Sequence, residues 1–198
     1  MVFEVELKAR LTDPATAETR AGELGVFKGE TTKLDIYFRR CGDSSRLPAD
    51  RFRLRREGRQ AVVNFKQEQQ ADGLEVNQEI EFEVSDAHAF YQFADRFGFE
   101  PFVVKRKQAR IYQIGQAQVE LNQVEHLGHF VEIEILCEQK SEVPVARVEV
   151  AQLLTRLGLE TTAVEPRPYI ELLQEAWPVR YRFVDDRLQP WPFVEVVE

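Results

Sequence analysis

The chain has 198 residues, 43% of them hydrophobic, and a formal net charge of −8. This length fits one domain with an extension, and the apolar content is enough for a substantial core. The acidic balance argues against a broad nucleic-acid surface, which is normally basic. No apolar run approaches the roughly 20 residues that cross a bilayer, and Glu4 and Glu6 stand where a secretory signal would be basic. We therefore expect a cytoplasmic globular protein with neither a membrane nor a nucleic-acid partner.

Four helices are predicted from their end signals. Thr12-Asp13-Pro14 supplies a capping side chain and a proline for the first turn, and Gly25 supplies a stop. Ser85-Asp86 opens a second helix, in which aromatic residues recur at three- and four-residue spacing. The predicted helices span residues 13–24, 85–98, 144–157 and 169–176.

Most of the remaining chain alternates between apolar and polar residues, which is the period of a strand. The first such segment contains Glu4-Val5-Glu6-Leu7-Lys8, in which two carboxylates and an ammonium group share one face. Residues 177–198 are rich in aromatic residues, proline and valine, and we interpret them as an extension, a strand pair or a clasp, to a domain of residues 1–176. The eight strands predicted within the domain span residues 2–10, 33–40, 51–57, 60–67, 76–84, 102–114, 116–122 and 130–137.

Charged faces recur along these strands. Whether they point outward to water or inward distinguishes an ordinary surface sheet from a barrel with a charged interior. Acidic pairs return at Glu79-Ile80-Glu81 and Glu132-Ile133-Glu134, and basic pairs occur in Arg53-Leu54-Arg55 and Lys105-Arg106-Lys107. In an ordinary surface strand such charges face water. The amphipathic helices, however, need an apolar sheet surface, and a barrel of about eight strands that receives helices outside would turn its charged faces inward. Spacing alone leaves both interpretations open.

An inward face lined by Glu4, Glu6, Glu81, Glu132 and Glu134 requires cations. Two carboxylates about 4 Å apart repel by roughly 4 kcal/mol at an effective dielectric constant near 20. Carboxylates without histidine suit a hard ion such as Mg²⁺ or Mn²⁺. Arginine and lysine on neighbouring strands suit phosphate oxygens. Together these residue types predict a site that holds a polyphosphate.

Several segments in this order resemble the CYTH domain family, the triphosphate tunnel metalloenzymes, whose hallmark is an N-terminal Glu-x-Glu-x-Lys strand. That strand is present here as Glu4, Glu6 and Lys8. The late segments look most like the bacterial class IV adenylyl cyclase-like branch. The resemblance covers about residues 2–173, and its further segments are Asp35-Ile36-Tyr37-Phe38, Arg53-Leu54-Arg55-Arg56, Phe65-Lys66, Glu79-Ile80-Glu81, residues 124–134 and Tyr169-Ile170-Glu171-Leu172-Leu173.

The resemblance implies an α+β fold in which an eight-stranded antiparallel β-barrel, the triphosphate tunnel, carries helices packed outside. It implies Mg²⁺ or Mn²⁺ held by Glu4, Glu6, Glu132 and Glu134. The implied partner is a small molecule with a triphosphate, ATP or tripolyphosphate, and we expect a monomer or a homodimer. The predicted substrate ligands are Lys8, Arg53, Arg55, Lys66, Lys107 and Arg110, and the predicted catalytic residues are Lys8, Glu81 and Lys107.

Three positions depart from the family pattern. Where the family commonly has Lys-x-Arg, this chain has Lys107-Gln108-Ala109-Arg110, so the arginine is either lost to Ala109 or displaced to Arg110. Asn122 stands where an acidic residue is usual, and Asn77 where a basic residue is usual. These changes reduce both the phosphate-binding set and the set of candidate bases.

The implied charges serve two reactions, and a third hypothesis needs no reaction. In a class IV cyclase the ribose 3′-hydroxyl of ATP attacks and pyrophosphate leaves, whereas in a triphosphatase, acting on tripolyphosphate or thiamine triphosphate, water attacks. The departures at Ala109, Asn122 and Asn77 suit a non-catalytic polyphosphate- or nucleotide-binding module. The cyclase-like reaction is our first hypothesis, and an adenine pocket at one end of the tunnel would distinguish it.

Overall fold

The computed structural model describes residues 3–71, 74–184 and 187–191, and it describes their side chains except at residues 66–79, 184 and 191. Eight strands form one antiparallel sheet in the order β1-β8-β7-β6-β2-β3-β4-β5, and a separate pair is formed by β9 and β10. The helices are α1 (Pro14–Leu24), α2 (Ala87–Arg96), α3 (Val143–Arg156) and α4 (Tyr169–Ala176). The strands are β1 (Phe3–Arg10), β2 (Val26–Arg40), β3 (Phe52–Glu57), β4 (Gln60–Ala71), β5 (Leu74–Glu83), β6 (Phe99–Ile114), β7 (Ala117–Val124), β8 (Gly128–Cys137), β9 (Arg180–Val184) and β10 (Arg187–Trp191).

Helix α1 begins and ends where its local chemistry requires. The side chain of Asp13 accepts a hydrogen bond of 3.1 Å from the backbone N–H of Thr16, and Pro14 occupies the first turn. Gly25 follows the last turn, and a Cβ atom there would lie only 2.3 Å from the carbonyl oxygen of Gln113 on β6. The close approach of the helix end to this strand therefore requires glycine.

The chain forms two compact units, each with its own core. The first comprises residues 1–32, 66–79 and 107–166, and the second comprises residues 33–65, 80–106 and 167–198. In the first unit, α1 and α3 bury small and aliphatic side chains against β1, β7 and β8. In the second, α2 and the β9–β10 pair pack on β2 and β3 through aromatic residues, among them Phe38, Tyr91 and Phe183.

The structure confirms the predicted α+β class, since the described residues form an eight-stranded antiparallel sheet and four α-helices. Of the two interpretations of the extension, the strand pair is present among the described residues as β9 and β10. Strand β2 is longer than predicted, because it begins at Val26 instead of residue 33. Tertiary contacts account for the added residues, since the ring of Phe27 lies 5.3 Å from that of Tyr112 on β6. None of the described helices is long and apolar enough to cross a membrane.

Candidate functional site

Five glutamates on strands β1, β7 and β8 share one face of the sheet. The register of β1 with β8 places Glu6 directly opposite Glu134, and the register of β7 with β8 places Glu120 opposite Glu132. Glu4 lies two residues before Glu6 and therefore on the same face. The other four glutamates all act electrostatically on Glu134, so the four predicted metal ligands are brought together. We call these five residues the glutamate cluster.

Lys107 of β6 binds two members of the glutamate cluster. Its Nζ atom donates hydrogen bonds of 2.7 Å to Oε2 of Glu120 and 2.7 Å to Oε2 of Glu132. The lysine is only 4% exposed. Burial by itself would lower the pKa of Lys107, but the charges of Glu132 and Glu120 outweigh burial and raise it above its ordinary value. Lys107 is therefore a permanent cation here, and Lys8 lies directly opposite Glu132 on the same face.

The Lys107–Glu120 contact crosses one intervening residue pair of β6 and β7. Across β6 and β7, Lys107 pairs with Val124, which is four residues from Glu120. The lysine and glutamate side chains therefore meet over the intervening pair, Ala109 and Asn122. Ala109 is 1% exposed, so the face between Lys107 and Glu120 is closely packed at this position.

Asn122 is a buried amide that lies beside this ion pair. It is 1% exposed, and neither its Oδ1 nor its Nδ2 atom has a hydrogen-bond partner among the described residues. Leaving a buried polar group unpaired costs roughly 1–3 kcal/mol. Such groups in native proteins are usually completed by water or by a ligand. Asn122 therefore offers a donor and an acceptor to a molecule bound on this face.

The glutamate cluster carries more negative charge than Lys107 neutralises. Burial, followed by the charges of Glu4, Glu6 and the other two members, raises the pKa of Glu134 from 4.5 to about 7. A set of carboxylate oxygens with this excess of charge fits a hard divalent cation such as Mg²⁺ or Mn²⁺. In the part of the chain that the structure describes, no three such side chains are already arranged as metal ligands. Ion binding would therefore have to rearrange these glutamates.

The pKa of Glu134 predicts that the protein in EDTA loses stability as the pH rises from 5 to 8. Between 4.5 and about 7 the folded protein keeps a proton that the unfolded chain has lost, so the higher pH favours unfolding. A glutamine at position 134 stays uncharged at every pH. Glu134→Gln should therefore reduce the fall in unfolding free energy by about 1–2 kcal/mol, a value lowered to allow for the partial exposure of the Glu134 side chain. Urea unfolding at pH 5 and pH 8 measures this change in the free energy of unfolding, and Glu138→Gln, which replaces an exposed acid, is the control. Equal losses in Glu134→Gln and the parent protein would contradict the prediction.

A second charged group surrounds Asp35, a carboxylate on β2 that is 0% exposed. Arg55 binds it twice, with Nε 2.7 Å from Oδ1 and Nη2 2.9 Å from Oδ2. The Nζ atom of Lys105 lies 3.0 Å from Oδ2, and Nη1 of Arg53 lies 3.7 Å from it. Burial alone would raise the pKa of Asp35, but Lys105 and Arg55 hold it far below its ordinary range. We call these four residues the Asp35 cluster.

The Asp35 cluster has a net positive charge and suits phosphate oxygens. Three cations face one carboxylate, and two of them are guanidinium groups, which bind phosphate in a bidentate manner. The predicted substrate ligands Arg53 and Arg55 are thus brought together with a cation that was not among the predicted ligands, Lys105. Asp35 fixes their positions while it remains ionised.

Glu81, a predicted catalytic residue, lies on β5 near the Asp35 cluster. Its Oε1 atom accepts a hydrogen bond of 2.7 Å from Nδ2 of Asn64. Asn64 in turn lies opposite Arg53 in the pairing of β3 with β4. The side chains of Lys66 and Asn77, a predicted ligand and one of the departures, lie outside the described residues.

Arg110, a predicted substrate ligand, is not brought to the glutamate cluster. It lies three residues after Lys107, and an odd separation places it on the opposite face of β6. Its Nη2 atom lies 3.0 Å from Glu18 on α1, and its Nη1 atom pairs with Glu30. Its guanidinium group also lies 5.0 Å from the ring centroid of Phe27. The structure therefore supports the alternative in which the family arginine is lost to alanine.

Three cluster residues were not predicted as site residues, although each carries a sequence signal. Asp35 is a single acid inside an apolar run. Lys105 lies two residues before Lys107, and Glu120 lies two residues before Asn122. Each therefore shares a strand face with a residue that the sequence analysis had already named. Their roles depend on partners from other strands, which the alternation does not specify.

The model of the CYTH domain matches residues 3–169, and the chain therefore belongs to the CYTH domain family. Adenylate cyclase CyaB of Aeromonas hydrophila is 26% identical over 181 residues, which are 88% of this chain and 90% of the relative. The PH1819 protein of Pyrococcus horikoshii is 30% identical, with a TM-score of 0.73, over 87% of this chain and 99% of that one.

A more distant solved structure has the same fold. It is that of a Hippeastrum protein described as a candidate adenylyl cyclase with a dominant triphosphatase activity. It is 15% identical, with a TM-score of 0.59, over 87% of this chain and 95% of that one. At this identity the likeness concerns the fold alone.

Proposed function

We propose that this protein is a Mg²⁺- or Mn²⁺-dependent enzyme that acts on the phosphate chain of a triphosphate. The observation that carries the proposal is the glutamate cluster, in which Lys107 is held at 2.7 Å from two carboxylates while the pKa of Glu134 is raised to about 7. A purely structural charged face would not need five glutamates with one buried lysine among them. When bound, divalent ions would neutralise phosphate charge and make the attacking oxygen more acidic.

The residues divide into two sets of roles in this proposal. Glu4, Glu6, Glu132 and Glu134 would hold the ions, as the family resemblance implies. Lys107 would then exchange its carboxylate partners in part for a phosphate oxygen, and it would arrive already charged and positioned. Arg53, Arg55 and Lys105, in the second unit, form a second candidate set of phosphate ligands. Of the remaining predicted ligands, Lys8 and Lys66 keep their proposed role, whereas Arg110 loses it because it lies on the opposite face of β6.

The proposed reaction is the conversion of ATP to cyclic AMP and pyrophosphate. The ribose 3′-oxygen attacks the α-phosphorus, the bond from that phosphorus to the oxygen of the leaving pyrophosphate breaks, and the hydroxyl proton passes to solvent or to a neighbouring base. The relationship to adenylate cyclase CyaB supports this choice. A triphosphatase is the second candidate, because the same metal and phosphate ligands would serve attack by water on a terminal phosphate.

The test is incubation with Mg²⁺ or Mn²⁺ and, in parallel, ATP, tripolyphosphate or thiamine triphosphate. We expect cyclic AMP and pyrophosphate in equal amounts from ATP. Phosphate as the main product would favour the triphosphatase. Tight binding of triphosphates without any product would favour the binding module.

The double variant Glu4→Gln/Glu6→Gln tests the metal site independently of turnover. It removes two anionic ligands, so the Kd for Mn²⁺, followed by electron paramagnetic resonance, should rise at least about tenfold, and metal-dependent turnover should be lost. Glu138→Gln, which removes an exposed acid immediately after β8, the strand paired with β1, serves as the control. Unchanged Mn²⁺ binding in the double variant would exclude the assigned ligands.

A further inference from the structure

Helix α2 presents two large aromatic side chains to solvent. Phe93 is 57% exposed and Phe97 is 61% exposed, and their ring centroids lie 4.5 Å apart. Tyr91 and Ala94, on the inner side of the same helix, are buried in the core of the second unit. Single exposed apolar residues are common on proteins, whereas adjoining large rings on one helix face indicate a surface that contacts another protein.

The positions of the exposed rings are fixed by the core beneath them. The ring of Phe90 lies 6.3 Å from that of Phe93 on its outer side. On its inner side it lies 6.2 Å from the ring of Phe38 and 5.9 Å from that of Phe52. The exposed rings are therefore the outer end of a row of aromatic side chains that begins in the core. A surface that is already ordered loses little conformational entropy when it binds.

The exposed face of α2 also carries a small residue and two opposite charges. Ala89 is exposed one turn before Phe93, and its small side chain leaves room for a large one from a facing helix. Asp86 is exposed at the N-terminal end of the helix, and Arg96 is exposed in its last turn. At 3.6 residues per turn, these four residues lie within about 80° of the helix surface. One facing helix can therefore contact all of them.

These features are complementary to a second copy of the same helix. When two identical helices pack antiparallel about a twofold axis, residues at equal distances on either side of the axis face each other. With the axis level with Tyr91, Phe93 lies opposite Ala89 of the second copy, each two residues from the axis. Arg96 then lies opposite Asp86 of the second copy, each five residues from the axis. A single axis thus places a large side chain on a small one and a base on an acid, and each contact occurs twice.

We propose that α2 is the contact surface of a homodimer, in which the α2 helices of two copies pack antiparallel about this axis. Each Phe93 fills the space above Ala89 of the other copy. Asp86 can accept a bond from Arg96 of the other copy, because the hydrogen bonds by which it caps its own helix both use Oδ1 and leave Oδ2 for the guanidinium group. The inference goes beyond the proposed function and does not depend on it, since neither the glutamate cluster nor the Asp35 cluster takes part.

Sedimentation equilibrium of the full chain tests the dimer. One helix from each copy buries less than the roughly 800 Å² per partner of a standard interface, so we expect a Kd of about 10–100 μM. The mass should rise with concentration from 23.0 kDa towards that of a dimer. Phe93→Gln/Phe97→Gln, which removes both rings, should raise the Kd at least about tenfold.

A charge reversal tests the antiparallel pairing. Arg96→Glu keeps both rings but places an acid opposite Asp86 of the second copy, so the Kd should rise about tenfold at low salt. The rise should be smaller in about 0.5 M NaCl, which screens exposed charges. This variant also tests the contact if the double phenylalanine variant proves unstable.

Helix α3 supplies matched controls. Val145→Gln replaces a valine that is 69% exposed, and Arg147→Glu makes the same change of charge as Arg96→Glu. Both controls should associate as the parent protein does. Urea unfolding of every variant checks that its fold is kept, as expected for exposed positions.

Three results would overturn the inference. The first is a parent protein that keeps a mass of 23.0 kDa well above the expected Kd. The second is a dimer that persists in Phe93→Gln/Phe97→Gln or is lost in Val145→Gln, since another surface would then form it. The third is an Arg96→Glu protein that dimerises as tightly as the parent, which would exclude the antiparallel pairing. None of these measurements uses a triphosphate or a metal ion, so a failure of the proposed function is seen separately.

Discussion

Replacing Lys107 with methionine should lower the free energy of unfolding by about 3 kcal/mol at pH 8, because it leaves Glu120 and Glu132 close together without their shared cation. The side-chain exposures of these glutamates are only 8% and 13%, so water replaces little of the lost interaction. Methionine keeps most of the length of lysine, which limits the contribution of a cavity. Turnover should fall about 10²- to 10³-fold if the ammonium group also stabilises developing phosphate charge.

A matched pair of variants separates the charge of Lys107 from its packing. Lys28→Met removes an exposed lysine from β2 and should change the unfolding free energy by less than about 0.5 kcal/mol. Adding Glu120→Gln to Lys107→Met removes one of the two carboxylates that have lost their bond to Lys107, and it should restore part of the stability but not the turnover. A Lys107→Met protein as stable as Lys28→Met in urea would show that the buried ion pair contributes nothing net.

Strand alternation predicted the charged face of β1 and β8, because the period of two is a local property of the chain. Glu6 and Glu134 face each other as that argument requires. The same alternation argues against Arg110, which is an odd number of residues from Lys107 and lies on the other face. The parity signal was present in the sequence, and it is more informative at this position than the spacing of a family motif.

Cross-strand partners could not be predicted in the same way. Lys107 binds Glu120 across a diagonal of four residues, and this contact exists only because β6 and β7 pair with Lys107 opposite Val124. The sequence shows Asn122 only as an amide at a position where an acidic residue is usual. In the structure, Asn122 lies beside the Lys107–Glu120 contact, and its amide has no hydrogen-bond partner among the described residues. Register is a tertiary property that the residues of one strand do not encode alone.

Asp35→Asn should be as severe as the loss of Lys107, since it leaves Arg55 and Lys105 beside a neutral amide. Breaking a buried pair in this way costs about 3–5 kcal/mol. The control Asp50→Asn breaks a surface ion pair between Arg40 and Asp50, whose side chains are 60% and 63% exposed respectively, and it should cost less than about 1 kcal/mol. The folded-state pKa of Asp35 lies below its ordinary value of 3.8, so its stabilisation is complete above that pH and is lost as the pH falls further. The stability difference between Asp35→Asn and the parent protein should therefore narrow in acid.

The same variant tests whether the cations around Asp35 form a phosphate site. In Asp35→Asn the three cations lack their carboxylate, and bound tripolyphosphate can replace it. Added tripolyphosphate should therefore raise the Tm of Asp35→Asn more than that of the parent protein, because a ligand stabilises the folded state according to its affinity. Asp50→Asn should respond as the parent does. An equal rise in all three proteins would mean that Asp35 and its cations stabilise the fold without forming the phosphate site.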